Sequence, residues 1–79
     1  MMTEQQVVEV IVDEARATVE RVAKVDQRPW TEAAMADMLA EVREIAKREA
    51  PTLLDCTEPQ IREACSRHIR GQVADLRPS

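Results

Sequence analysis

Residues 31–50, TEAAMADMLAEVREIAKREA, decide the fold class. Met35, Met38, Leu39, Val42 and Ile45, with Ala46 and Ala50, recur at intervals of three and four. That spacing lines up side chains along one side of an α-helix. Glu41, Glu44, Lys47 and Arg48 fall on the opposite side. A helix with one apolar stripe must lay it against something, and both flanking segments offer a matching stripe. The chain is therefore read as a single helical domain over residues 1–79, organised around this helix.

Upstream, Thr3 and Gln6 have the form of a capping box, which starts a helix running over residues 4–25. Its inward stripe is expected to be Val8, Ile11, Val12, Ala15, Val19 and Val22, with Glu9, Asp13, Glu20 and Lys24 facing water. VVEVIV at residues 7–12 is β-branched and competes as a strand. Helix is preferred, because the apolar spacing continues for several turns and no second strand-like segment exists to pair with it. DQRPW at residues 26–30 interrupts the pattern, since Pro29 disfavours helix at Arg28. Thr31 then caps the second helix, over residues 32–50, and places Trp30 and Met35 at the two positions of a hydrophobic staple.

Downstream, Pro51 closes the second helix, and TLLDC at residues 52–56 is expected to form a short helical turn whose Leu53 and Leu54 lid one end of the core. Thr57 and Gln60 repeat the capping-box spacing, with Pro59 in the first turn where its missing amide costs little. The third helix, over residues 58–76, carries Ile61, Ala64, Cys65, Ile69, Val73 and Leu76 on one side. Gly71 interrupts this stripe without changing its phase, so the helix is expected to continue through it to Pro78. The fold class is all-α: a small three-helix antiparallel bundle.

At 79 residues, with one Trp and no Phe or Tyr, the core lacks the large contribution of aromatic burial. That shortfall points towards self-association as a dimer. The net charge of −4 argues against nucleic acid or an anionic membrane as the main target, since both call for an excess of Lys and Arg. No apolar run approaches the roughly 20 residues of a membrane span. The first residues show no signal-peptide pattern, and two cysteines are too few for a secreted disulfide scaffold, so a cytoplasmic setting is expected.

Several constellations bear on chemistry. Cys56, Cys65 and His68 offer three zinc ligands where a structural site wants four, so no metal is assigned. Cys65 and His68 could form a thiol nucleophile and base, yet Cys65 points into the expected core and a chain with one Gly has no phosphate-cradling loop. No catalytic residue and no cofactor are assigned. Arg62, Arg67 and Arg70 make a basic face on the third helix, read as a solvated surface neutralised by neighbouring acids, as a contact for an acidic protein patch, or as a DNA contact, for which the preceding TLLDCTEP lacks the short Gly-containing turn of a helix-turn-helix. Trp30, Met35 and Met38 have the composition of an interface anchor and equally of core.

The sequence is thus read as a non-enzymatic protein–protein interaction module whose partner is another protein, a second copy of itself included. Its contacts would be Trp30, Met35, Met38, Arg62, Arg67 and Arg70. A second reading starts from the acidic faces, Glu4, Glu9, Asp13 and Glu14 on the first helix and Glu32, Asp37, Glu41 and Glu44 on the second. These suit a small inhibitor encoded by a phage or other mobile element, blocking a basic, nucleic-acid-handling surface of a host protein.

Overall fold

The computed structural model describes the backbone of residues 1–27 and 30–75, and every side chain within them except those at 26, 69, 70 and 72–75. Three α-helices follow one another, α1 (Glu4–Asp26), α2 (Glu32–Glu49) and α3 (Glu58–Asp75), with a 3-10 turn at Ala50–Thr52; there is no strand among the described residues. VVEVIV is helical throughout. Helix α3 runs through Gly71, as the phase of its apolar residues predicts. The ends of the expected stripe on α3, Ile69, Val73 and Leu76, lie outside the described side chains.

Local chemistry sets the helix starts. Thr3 accepts a hydrogen bond from the Gln6 amide while the Gln6 side chain accepts from the Thr3 amide, and Thr57 and Gln60 repeat the exchange ahead of α3. Thr31 caps α2 by accepting from the Ala34 amide. Helix α1 ends at Gln27, whose backbone is left-handed at φ 56° and whose amide donates to the Ala23 carbonyl.

The central element is α1, and not α2 as the spacing of residues 31–50 leads one to expect. Val7, Val8, Val10, Ile11, Glu14, Ala15, Thr18 and Val19 are all buried on α1, whereas Ala46 is the one fully buried residue of α2. At 100° per residue, those eight positions cover about 180° of the helix circumference, against the roughly 100° that serves a single neighbour. The wider arc exists because α1 is packed on two sides, by α2 and by α3. Of the eight, Val8, Ile11, Ala15 and Val19 belong to the stripe expected from sequence, whereas Val7, Val10, Glu14 and Thr18 fall outside that expectation and widen it to the side where Glu14 meets Arg62 of α3.

Helices α2 and α3 do not pack on each other. No Cα of one comes within 8 Å of a Cα of the other among the described residues. Helices in contact lie about 8–10 Å apart with Cα atoms about 2.3 Å from each axis, which brings some Cα pairs well inside that limit. The bundle therefore has two closed seams and one open one. Two further corrections follow: Ile45, placed by its spacing in the buried stripe of α2, is 41 % exposed, and Ala64 of α3 is exposed as well. Both border the open seam.

Two apolar clusters fill the closed seams. One gathers Val7, Val8, Val10, Ile11, Ala46, Ala50 and Ile61, with Leu53, Leu54 and Cys56 packed against its end. Leu53 and Leu54 lid the core as expected, but the helical turn is at Ala50–Thr52, just before them, and the Met2 amide donates to the Leu54 carbonyl to tie the start of the chain to this lid. The other cluster is Ala15 and Val19, surrounded by Val22, Trp30, Met35, Met38 and Leu39.

Ile61 is 1 % exposed and Ile45 41 %, so truncating each should have unequal cost. Ile61→Ala is expected to lower the unfolding free energy by about 2–5 kcal/mol and Ile45→Ala by less than about 1 kcal/mol. Urea denaturation followed by circular dichroism measures both; equal losses would mean that the α2–α3 seam is closed in solution.

Candidate partner-binding surfaces

The six residues expected to contact a partner separate in the structure. Trp30, Met35 and Met38 are half-buried and pack on the Ala15–Val19 cluster, so they hold α2 against α1. Trp30 and Met35 also line a groove of about 620 Å³ between the end of α1 and the start of α2, bordered by Arg16, Lys24, Glu20 and Glu32. The staple geometry and the interface anchor are thus compatible at this one place.

Arg62 is spent inside the molecule. Its guanidinium donates to Asp13 at 2.9 Å, to Glu14 at 3.2 Å and to Glu58 at 2.9 and 3.0 Å. Asp13 and then Glu58 are the main reasons its pKa is held above the ordinary arginine value, which secures the charge at any pH the fold tolerates. Glu14 is 8 % exposed and receives a second arginine, Arg21, at 3.2 Å, which also donates to Thr18 at 3.1 Å. A carboxylate this deep is tolerable only when paired, and two guanidiniums pair it. Arg67 bonds to Glu63 on its own helix at 2.6 Å and remains exposed. The Arg70 side chain lies outside the described residues.

These pairings also reduce the acidic face of α1. Glu9 binds Arg43 of α2 at 2.9 Å, and Asp13 and Glu14 bind Arg62 of α3. Together they close the polar back of the molecule along both seams. On α2, by contrast, Glu32, Asp37, Glu41 and Glu49 form no ion pair among the described residues, and Glu44 is matched by Lys47 at 3.5 Å. Among the described residues, the carboxylates without an ion pair are concentrated on α2.

The surface that sequence reasoning missed is the open seam. Between α2 and α3 lies a cleft of about 350 Å³, floored by Ile11 of α1 and walled by Val42, Ile45 and Ala46 on one side and Ala64, Cys65 and His68 on the other. Glu49 and His68 are its polar side chains. No local pattern announces it, because the residues that line it are spaced like ordinary core positions. Only the over-wide apolar arc of α1, hidden by the polar Glu14 and Thr18 within it, could have suggested that α2 and α3 stand apart.

Cys65 and His68 both line this cleft, with Glu49 the one carboxylate among its lining residues. Burial first, and the nearby Glu14 carboxylate second, push the Cys65 thiol up from its ordinary value. A nucleophile or metal ligand needs the opposite shift. No group of three or more His, Cys, Asp or Glu among the described residues is placed to hold a metal ion, and Cys56 packs against the core instead of joining the cleft. Compared with protein families, curated proteins and solved structures, the chain matches none.

Removing Arg62 leaves the buried Glu14 with one guanidinium, whereas removing Arg67 strips only a solvated pair. Arg62→Ala should cost about 1–3 kcal/mol and Arg67→Ala less than about 0.5 kcal/mol. Thermal or urea unfolding of the two variants checks this, and a double-mutant cycle with Glu14→Gln should return a coupling energy distinct from zero. For Cys65, alkylation by iodoacetamide in a Cys56→Ser background should be slower than in the same chain unfolded in urea, with its pH midpoint displaced upward. Equal rates would contradict the burial of the thiol.

Proposed function

We propose that this protein acts by holding another polypeptide, without catalysis, in the open seam between α2 and α3. One observation supports the reading: a bundle whose central helix is sealed on two sides leaves a cleft floored by the buried Ile11, with the half-buried Val42 and Cys65 and the exposed Ile45 along it, and no packing of α2 on α3 among the described residues to close it. In a three-helix bundle the third seam normally closes by packing of the two outer helices. Here the ion pairs Glu9–Arg43 and Asp13–Arg62 draw both outer helices towards the back of α1, which favours a standing cleft at the front. An apolar cleft bounded by two helices is suited to an amphipathic helix, which presents anchors at three- and four-residue spacing. The raised Cys65 thiol is consistent with a recognition surface and gives no support to a chemical one.

The second reading, an acidic inhibitor of a basic host surface, draws its support from the unpaired carboxylates of α2. It draws on carboxylates of the same helix, Glu41 and Glu49 beside Ile45 among them, and is compatible with the first.

Ile45 is the residue to change, because it is exposed and its loss should leave the fold intact. A protein retained from cells by the wild-type chain is expected to be lost from Ile45→Asp, with the helical circular dichroism signal of the variant unchanged. Retention that is equal for both, in replicate affinity captures with quantitative mass spectrometry, would remove the cleft from consideration.

A further inference from the structure

The cleft has a sign. Asp37, Glu41, Ile45 and Glu49 succeed one another at intervals of four along α2, so carboxylates stand directly before and after the exposed Ile45. Asp37, Glu41 and Glu49 have no ion-pair partner among the described residues, and Glu49 lines the cleft itself. Arg48 is the one base beside them that also lacks a partner there. The α3 wall, Ala64, Cys65 and His68, carries no carboxylate, and Glu63 and Arg67 elsewhere on that helix pair with each other at 2.6 Å. An apolar trough therefore runs beside an acidic lip, on a molecule whose net charge is −4.

From this juxtaposition we infer that the occupant of the cleft is an amphipathic helix whose apolar stripe is flanked by Lys or Arg. The inference rests on the proposed docking role and adds the chemistry of the partner. The stripe fills the trough over Ile11, and the flanking cations reach the carboxylates of the α2 lip. Charge complementarity of this kind selects partners and speeds their encounter more than it adds affinity. A second copy of this chain fits less well. Two copies pairing antiparallel through α2 about a two-fold axis at Ile45 would set Glu41 of each against Glu49 of the other, and like charges facing across an interface repel.

Two residues present once each in the chain make the test local. His68 lines this cleft, and Trp30 lines the separate groove between α1 and α2. The probe is a synthetic 18-residue helix of Leu and Lys at amphipathic spacing, titrated at fixed pH while the His68 imidazole and Trp30 indole protons are followed by NMR. The His68 signals should shift saturably, those of Trp30 should stay in place, and Ile45→Asp should abolish the effect. The same helix with Glu in place of every Lys should need at least a tenfold higher concentration, and the Glu41→Gln, Glu49→Gln double variant should narrow that gap. Equal response to both helices, each lost with Ile45→Asp, would overturn the basic partner and leave the docking cleft standing. So would His68 signals that move on dilution of the protein alone together with a concentration-dependent mass in sedimentation, because the occupant would then be a second copy. No response at His68 to either helix, or a response that survives Ile45→Asp, would overturn the cleft and the inference together.

Discussion

A helix shared between two neighbours has to be apolar over about half of its surface, and α1 has to achieve this without a single aromatic residue. It does so with small side chains. Val7, Val10, Ala15, Thr18 and Val19 let α2 and α3 approach closely on adjacent sides, and Ile61 and Ala46 fill what remains between them. Small side chains bury less area per residue than Phe or Trp, so the stability of such a core rests on many modest contributions of about 1–2 kcal/mol each. The one buried carboxylate in it, Glu14, is affordable because Arg21 and Arg62 converge on it from two helices. Packing and charge therefore agree about where α3 sits.

The outer ion pairs explain the asymmetry of the molecule. Glu9–Arg43 and Asp13–Arg62 lie on the back of α1, one reaching each outer helix, and each joins groups that are only partly withdrawn from water. Individually such pairs are worth little. Their placement matters more than their strength, since both favour the same swing of α2 and α3 away from each other. The front of α1, at Ile11, is at once part of the buried cluster and the floor of a cleft.

Helix number, boundaries and caps were legible in the sequence because each is local. Thr3 with Gln6, Thr31, and Thr57 with Gln60 act within one turn, and Pro51 acts on its immediate neighbours. The choice of central helix was not legible. It depends on how many sides of a helix are covered, and α1 concealed its second face behind Glu14 and Thr18, which hydropathy counts as surface. Ile45 was misplaced for the matching reason: its spacing is that of a core residue, and nothing in the sequence reports that the helix opposite stands too far away to cover it. The Arg62 ambiguity was resolved in favour of neutralisation because Asp13 and Glu14 lie 49 and 48 residues away in sequence and only the fold brings them together.

The separation of α2 from α3 has a consequence for how the molecule comes apart. In a closed bundle each helix is gripped by two others, so loosening one strains both. Here each outer arm is gripped by α1 and the lid at Leu53 and Leu54, and among the described residues no Cα of α3 comes within 8 Å of a Cα of α2. Either arm can lift from the spine while the other stays seated, in the manner of a sub-global opening. News of that event passes between the arms only through the spine itself and the short tether that joins them.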